Sequence, residues 1–196
     1  MGDRLSFVSS SAAETQALGA RVGAELRDGD VLVLTGDLGA GKTQLTKGIA
    51  RALGVEGEVT SPTFALEAVH EGGRIPLYHF DLYRLHSADE LGDAGLWDVL
   101  GADGACVIEW GEQFADEIGP ERVDVFVTRV EDGPVEDGAG GNGAAGDGPA
   151  EGAVAGDGPA GDGVEPRRRI ELVSHDARGD ELLAAVRAAT TGRASA

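Results

Sequence analysis

The sequence predicts a single α/β domain in which a mixed β-sheet is flanked by helices. Three observations point to this fold class. The chain has 196 residues, a length that one domain accommodates. Short apolar runs rich in β-branched residues alternate with segments whose apolar residues recur every fourth position, which is typical of strands alternating with helices. A glycine-rich turn also joins an early strand to the next helix.

The first half of the chain predicts a helix, a strand and a second helix. Ser11 and Glu14 have the spacing of a capping box and precede a periodic apolar pattern, so a helix is expected over residues 12–27. An apolar run predicts a strand over residues 31–35. A second helix is expected after the glycine-rich turn, because apolar residues again repeat at every fourth position: Leu45, Ile49 and Leu53.

The second half predicts further strands, two helices and a hairpin. Strands are expected over residues 64–69, 75–80 and 105–110. Ser87 and Glu90 predict the cap of a short helix, and a last helix is expected over residues 181–189. Two further segments alternate between apolar and polar residues, as the half-buried strands of a hairpin do; their apolar residues are Val123, Val125 and Val127 in one and Ile170 and Leu172 in the other.

Residues 131–166 differ in composition from the rest of the chain. They include nine carboxylates, no basic residue, no aromatic residue and only three large apolar residues, all valines. Such a segment cannot build a core, and its like charges repel each other. We therefore expect one domain over residues 1–196, in which 131–166 form a disordered acidic glycine-rich insertion in the C-terminal hairpin.

The charge balance limits the classes of partner. Sixteen Lys and Arg residues against 35 Asp and Glu residues give a net charge of −19. This charge disfavours non-specific binding to nucleic acids and to anionic membranes. Cys106 is the one cysteine, which excludes an intramolecular disulfide, and no apolar run is long enough to span a bilayer. We expect a cytoplasmic protein.

The glycine-rich turn matches the phosphate-binding motif G-x-x-x-x-G-K-[ST] over residues 36–43. Glycines let successive backbone N–H groups face an anion, the lysine reaches the outer phosphates and the hydroxyl can bind magnesium. A plain glycine-rich turn is disfavoured, because the motif lies between a strand and a helix. The fold expected is P-loop NTPase-like, and the residues expected to bind nucleotide are Leu38, Gly39, Ala40, Gly41, Lys42 and Thr43.

Two apolar runs end in a carboxylate, and both resemble Walker B strands. Asp81 follows one run and Glu109 ends the other. In nucleotide hydrolysis one such acid holds the metal and the other orients water. The alternative is a strand-end carboxylate that caps a loop. His79 and Cys106, inside these runs, are interpreted as packed side chains.

The segment 60–64 lies between the P-loop helix and the first acidic strand, and its hydroxyl groups predict a switch. Ser61 and Thr63 can sense the γ-phosphate or the metal and change the order of the loop when the phosphate leaves. A turn fixed by Pro62 that leads into a strand explains the same residues equally well.

Together these residues resemble the TsaE (YjeE) family of P-loop ATPases, which act in bacterial tRNA threonylcarbamoyladenosine biosynthesis. Four segments occur in the family's order and spacing: GDLGAGKT at 36–43, SPTF at 61–64, HFDLYRL at 79–85 and EW at 109–110. The resemblance implies weak magnesium-dependent ATP hydrolysis in a complex with TsaD and TsaB, through which this protein would reach tRNA only indirectly. The carbamoyl transfer itself would belong to TsaD.

The resemblance also assigns roles to individual residues. Lys42 would bind phosphates, Thr43 and Glu109 would bind magnesium, and Asp81 would be the acid needed for hydrolysis. Three further residues would lie near the nucleotide: Thr15, Trp110 and Arg168. The chain departs from the family at Gln44, where a Thr or Ser hydroxyl usually stands beside the α-phosphate.

Three other classes of nucleotide-binding protein compete with this interpretation. One is a module that binds nucleotide without hydrolysing it, in which mutation of Asp81 would have no effect. A signalling GTPase is disfavoured, since the one asparagine, Asn142, is not followed by the lysine of an N-K-x-D motif. A small-molecule P-loop kinase is the stronger alternative, because Asp81 can also accept a hydroxyl proton from an acceptor. The sequence offers no arginine-bearing lid or second substrate motif in its support.

Overall fold

A seven-stranded sheet forms the centre of the protein in a computed structural model, which describes residues 2–130 and 165–191. Its strands are β1 (Arg4–Ser9), β2 (Val31–Thr35), β3 (Glu67–His70), β4 (Leu77–Asp81), β5 (Ala105–Glu109), β6 (Val123–Val130) and β7 (Arg167–Ser174). The helices are α1 (Ala12–Glu25), α2 (Lys42–Leu53), α3 (Asp89–Asp93), α4 (Leu96–Val99), α5 (Ala115–Ile118) and α6 (Ala177–Thr191), and a 3₁₀ turn (Gly111–Phe114) precedes α5.

The strand order is β1-β7-β6-β2-β5-β4-β3, and the sheet is mixed. β2 is parallel to β5 and β6, and β4 is parallel to β5, whereas the outer pairs are antiparallel. The carboxyl ends of β2, β4 and β5 therefore meet at one edge, where ligands bind in open α/β sheets. The register places Asp81 opposite Glu109 at this edge.

Successive residues of β2 face opposite sides of the sheet, and each side has its own core. Leu32 and Leu34 belong to the larger core, which packs against α1, α2 and α6. Val31 and Val33 belong to the smaller core, which packs against α3, α4 and α5. A central strand buried on both faces reads as a continuous apolar run, and this is why the segment was recognisable in the sequence.

The helices α1 and α2 cross at a point where only glycine fits. A Cβ atom at Gly19 would lie 2.1 Å from the carbonyl oxygen of Leu45, and one at Gly48 would lie 2.1 Å from that of Gln16. The two backbones thus touch directly, which fixes the position of α2 and of the loop that leads into it.

The mixed sheet and its flanking helices confirm the predicted fold class, but two predictions about strands were wrong or incomplete. The strand expected over residues 64–69 begins only at Glu67, because the N–H groups of Ala65 and Leu66 bond to the carbonyl of Pro62 in a tight turn. Phe64 is 84% exposed in this turn, so apolar character there does not reflect burial. β1 has no counterpart among the predicted elements.

The two strands predicted for the C-terminal hairpin are confirmed. β6 and β7 pair antiparallel from Val123 opposite Ser174 to Val130 opposite Arg167. The insertion predicted over residues 131–166 lies outside the described residues, except for its last two. Within the described part of the chain, no helix combines the length and the apolar character needed to cross a membrane.

Candidate functional site

The phosphate-binding motif forms the loop between β2 and α2 that its sequence predicts. Gly36, Gly39 and Gly41 all have positive φ angles, of 154°, 71° and 114°. A Cβ atom at Gly36 would lie 2.2 Å from the carbonyl oxygen of Val127, so a larger residue is excluded there. The loop ends at the N-terminus of α2, where unpaired backbone N–H groups and the helix dipole favour an anion.

Lys42 places its ammonium group over this loop. Its Nζ donates to the carbonyl oxygens of Gly36, at 2.6 Å, and of Asp37, at 3.2 Å. The same atom lies 3.9 Å from the centre of the Trp110 ring. Burial lowers the pKa of Lys42, and the carboxylates of Glu109 and Asp81 oppose this shift. The ammonium group can exchange these neutral carbonyl oxygens for phosphate oxygens, because hydrogen bonds between oppositely charged groups are stronger.

Glu109 receives hydrogen bonds from two elements at once. The hydroxyl of Thr43 donates to Oε1 at 3.0 Å, and His79 Nε2 lies 3.0 Å from the same oxygen. The Glu109 residue is 3% exposed and ends β5. The hydroxyl of α2 and the carboxylate of β5 are thus adjacent, as a shared metal ion would require.

The donor set fits magnesium bound together with a nucleotide. Across residues 2–130 and 165–191, no group of three or more His, Cys, Asp or Glu side chains is placed to hold a metal ion. Magnesium at Thr43 and Glu109 would take its other ligands from water and phosphate oxygens, and this ion is usually bound in that way.

The predicted switch residues contact the predicted catalytic acid. Ser61 Oγ donates to Asp81 Oδ2 at 2.6 Å, and Thr63 Oγ1 donates to the same oxygen at 2.9 Å. The backbone N–H of Tyr83 donates to the other oxygen, Oδ1, at 3.1 Å. Asp81 is 4% exposed. The structure therefore joins the 60–64 segment to the acid, whereas the sequence predicted that its hydroxyls sense the γ-phosphate or the metal; that role stays a prediction.

Two arginines of the C-terminal hairpin donate hydrogen bonds to backbone carbonyl oxygens of the phosphate loop. Arg168 is 7% exposed, and its Nε donates to the carbonyl oxygen of Ala40 at 3.1 Å. Arg129 donates through Nη2 to the carbonyl oxygen of Gly39 at 2.7 Å. The two arginines are cross-strand partners. Arg168 was predicted from the sequence, whereas Arg129 was missed, because only the hairpin register reveals that it faces the same loop.

Trp110 and Leu38, both predicted to lie near the nucleotide, are found beside the phosphate loop and at its tip. Trp110 adopts a φ of 62°, and its backbone N–H donates to the carbonyl oxygen of Leu34. The centre of its ring lies 5.0 Å from the centre of the Tyr83 ring. Leu38, at the tip of the phosphate loop, is 62% exposed. Trp110 thus lies beside Lys42, near the position expected for nucleotide.

Thr15 hydrogen-bonds to Ser9 and Ser11, which lie just before α1. It is fully buried, and its hydroxyl is shared with Ser9 Oγ at 2.8 Å and donates to the Ser11 carbonyl oxygen at 3.1 Å. Its contact with nucleotide stays a prediction. Gln44 accepts a hydrogen bond from Gln16 at 2.7 Å, so this departure from the family joins α1 to α2.

Cys106 is packed, as predicted. It is buried in β5, and burial raises the pKa of its thiol to about 12. A thiol with this pKa is protonated at neutral pH and is a poor nucleophile. His79 is also buried, and its Nε2 makes a polar contact with Glu109 Oε1 that an apolar packed side chain would not make.

Comparison with known proteins gives consistent results. The model of the family described as threonylcarbamoyl adenosine biosynthesis protein TsaE matches residues 9–134. The chain is similar to a tRNA threonylcarbamoyladenosine biosynthesis protein TsaE of Treponema pallidum, with 46% identity over 64% of this chain and 93% of the relative. The chain is also similar to the protein of the same name in Bacillus subtilis, with 41% identity over 61% of this chain and 74% of the relative.

A solved structure extends the similarity to the whole fold. A crystal structure of Bacillus subtilis YdiB superposes with a TM-score of 0.68 and 27% identity, covering 97% of this chain and 98% of that one. The family match spans more than half of the chain and contains the phosphate loop, Asp81 and Glu109. On this evidence, the chain belongs to the TsaE family.

Proposed function

We propose that this protein binds ATP and magnesium, hydrolyses ATP weakly and thereby supports tRNA threonylcarbamoyladenosine biosynthesis, the process for which its relatives are named. The observation that carries the proposal is the convergence of four groups at one edge of the sheet. Lys42 and Thr43 begin α2, while Asp81 and Glu109 end neighbouring strands in register. This set contains the parts that phosphoryl transfer to water requires.

The phosphate loop and α2 bind the anionic part of the nucleotide. Backbone N–H groups surround the phosphates, and the ammonium group of Lys42 exchanges the carbonyls of Gly36 and Asp37 for phosphate oxygens. Thr43 and Glu109 would hold magnesium, which would supply positive charge against the charge that develops on the phosphates. Arg129 and Arg168 stabilise the conformation of the loop by donating hydrogen bonds to the carbonyl oxygens of Gly39 and Ala40.

Asp81 orients the attacking water and accepts its proton. Water adds to the γ-phosphorus as the bond to the bridging oxygen breaks, which yields phosphate and ADP. In the described structure Asp81 Oδ2 is occupied by Ser61 and Thr63. These hydroxyls must turn away before Oδ2 can accept from water, so the 60–64 segment serves as the switch that links nucleotide binding to hydrolysis.

TsaD and TsaB are the proposed protein partners. The net charge of −19 opposes direct binding of tRNA, so tRNA is reached through the complex, and the carbamoyl transfer occurs on TsaD. The proposed location is the cytoplasm. In this arrangement ATP turnover on the present chain supports repeated cycles of modification.

The test is magnesium-dependent ATP turnover by the purified protein, alone and with an equimolar TsaD–TsaB pair. We expect slow turnover alone and faster turnover with the pair, because a partner can release the switch from Asp81. Turnover that the pair leaves unchanged would contradict the role in the complex. It would favour the alternative function, a small-molecule P-loop kinase, for which acceptors would then be screened.

For residues 131–166 we propose a spacer within one domain. Val130 and Arg167 are directly opposed in the hairpin, so a short glycine-containing turn can replace the intervening segment. We expect this deletion variant to keep the ATP affinity and turnover of the full chain, since lengthening such a turn costs only about 2 kcal/mol of loop entropy. A large loss of the turnover stimulated by TsaD–TsaB would instead assign the segment to partner docking.

A further inference from the structure

His79 lies in the middle of the sheet, away from solvent. It belongs to β4, between β3 and β5, and its side chain is fully buried. The parallel register places it beside Val107, two residues before Glu109. From this position its Nε2 reaches Glu109 Oε1 at 3.0 Å. The contact thus joins two neighbouring strands beneath the edge that carries the site.

The hydrogen bond identifies Nε2 of the imidazole as a donor. A carboxylate accepts hydrogen bonds and does not donate them, so Nε2 carries a hydrogen. Among the described residues, the buried Nδ1 has no hydrogen-bond partner. An unpaired buried polar atom destabilises the fold, and an apolar side chain of similar size would avoid that cost. Packing alone therefore does not explain a histidine here.

The other donor to Glu109 has a second task. Thr43 Oγ1 shares Oε1 with His79, and the same hydroxyl is the proposed magnesium ligand. A hydroxyl that binds a metal through its oxygen has its hydrogen direction constrained by that metal as well as by Glu109. His79 has no such second task, and its place in the middle of the sheet directs its Nε2 to the carboxylate.

We propose that His79 is a positioning residue that keeps the carboxylate of Glu109 in one orientation for binding magnesium together with nucleotide. The proposal rests on the proposed function, specifically on Glu109 as a magnesium ligand. His79 touches neither nucleotide nor metal, and it acts through its Nε2–H bond to Oε1. Groups that orient a metal ligand in this way typically change metal affinity by about 10- to 100-fold when they are removed.

The test compares two substitutions at this position. His79→Phe keeps an aromatic ring but removes the donor, whereas His79→Gln keeps an N–H group of similar reach. Magnesium is titrated at a fixed concentration of ADP, with binding followed by the fluorescence of Trp110, whose ring contacts Lys42. We expect His79→Phe to raise the magnesium concentration for half-maximal binding by about 10-fold or more. His79→Gln should restore most of the wild-type value.

Two further variants make the result specific. His70→Phe changes the neighbouring histidine of β3, whose ring lies 6.1 Å from that of His79, and should leave the magnesium requirement unchanged. Glu109→Gln should raise it. A wild-type magnesium requirement in His79→Phe, whatever its melting temperature, would overturn the role of His79. If Glu109→Gln also has no effect, the proposed metal site itself is wrong.

The experiment stays decisive if His79→Phe does not fold. His79→Asn then replaces it, because the shorter amide keeps polarity but falls short of the position of Nε2. A high magnesium requirement in His79→Asn and a near-normal one in His79→Gln would support the proposal. Equal requirements in both variants and in the wild-type protein would overturn it.

Discussion

The Lys42→Ala protein is expected to bind ATP at least about 100-fold more weakly than the wild-type protein, a loss of roughly 2.7 kcal/mol or more. Lys42 is 4% exposed, and its ammonium group hydrogen-bonds to the carbonyl oxygen of Gly36 in the phosphate loop. Removing one member of a close, desolvated charge pair costs about 2–5 kcal/mol. Calorimetric titration with ATP and magnesium measures the change directly.

Lys47→Ala is the matched control, because Lys47 lies on the same helix and is one of the chain's two lysines. It should bind ATP as the wild-type protein does. Lys42→Arg should not restore binding, since a planar guanidinium replaces a compact point charge in a tight loop. Unchanged ATP affinity in Lys42→Ala would remove the phosphate loop from the proposed function.

The Asp81→Ala protein is expected to bind ATP but to hydrolyse it about 10²- to 10⁴-fold more slowly, the usual contribution of general acid–base groups. Asp81 lies at the sheet edge beside Glu109, and its Oδ2 takes two hydroxyl donors that can be exchanged for water. Single-turnover hydrolysis with saturating magnesium reports the chemical step, and a parallel titration reports affinity.

Asp81→Asn serves as the isosteric companion of this variant. It keeps the size of the side chain and an oxygen that can accept from Ser61 or Thr63, but it is a far weaker base. The two variants should lose turnover alike and keep their fold. Wild-type turnover in both would remove Asp81 from the hydrolytic step, and loss of folding in both would make Asp81 a structural residue.

The parts of the site that could be predicted from the sequence are those encoded locally. The phosphate loop needs glycines, Lys42 and Thr43 at fixed spacing, and each of these requirements is readable along the chain. Asp81 and Glu109 each end a buried apolar run, so a parallel arrangement of the two strands was sufficient to bring them together. The sheet confirms that arrangement.

Contacts between distant segments were not predictable in the same way. Arg129 becomes recognisable only through its partner Arg168 across the hairpin, whose strands are separated by residues 131–166. Three of the six residues of β1 are polar, because one of its faces is exposed, and its neighbour in the described sheet, β7, lies far along the chain. Residues 64–66 were predicted as the start of a strand but belong to the turn after Pro62, and the error arose because Phe64 is apolar yet exposed.

The place of β1 in the sheet has a consequence for how the protein is made. β1 leaves the ribosome before the other described strands, yet within the described sheet it pairs with β7, the last of these strands to be synthesised. That edge of the sheet stays open while the intervening segments are made, at about 5–20 residues per second. Arg168 of β7 also supplies a contact to the phosphate loop through Ala40. A nascent chain therefore completes its nucleotide site only as its C-terminal strand emerges.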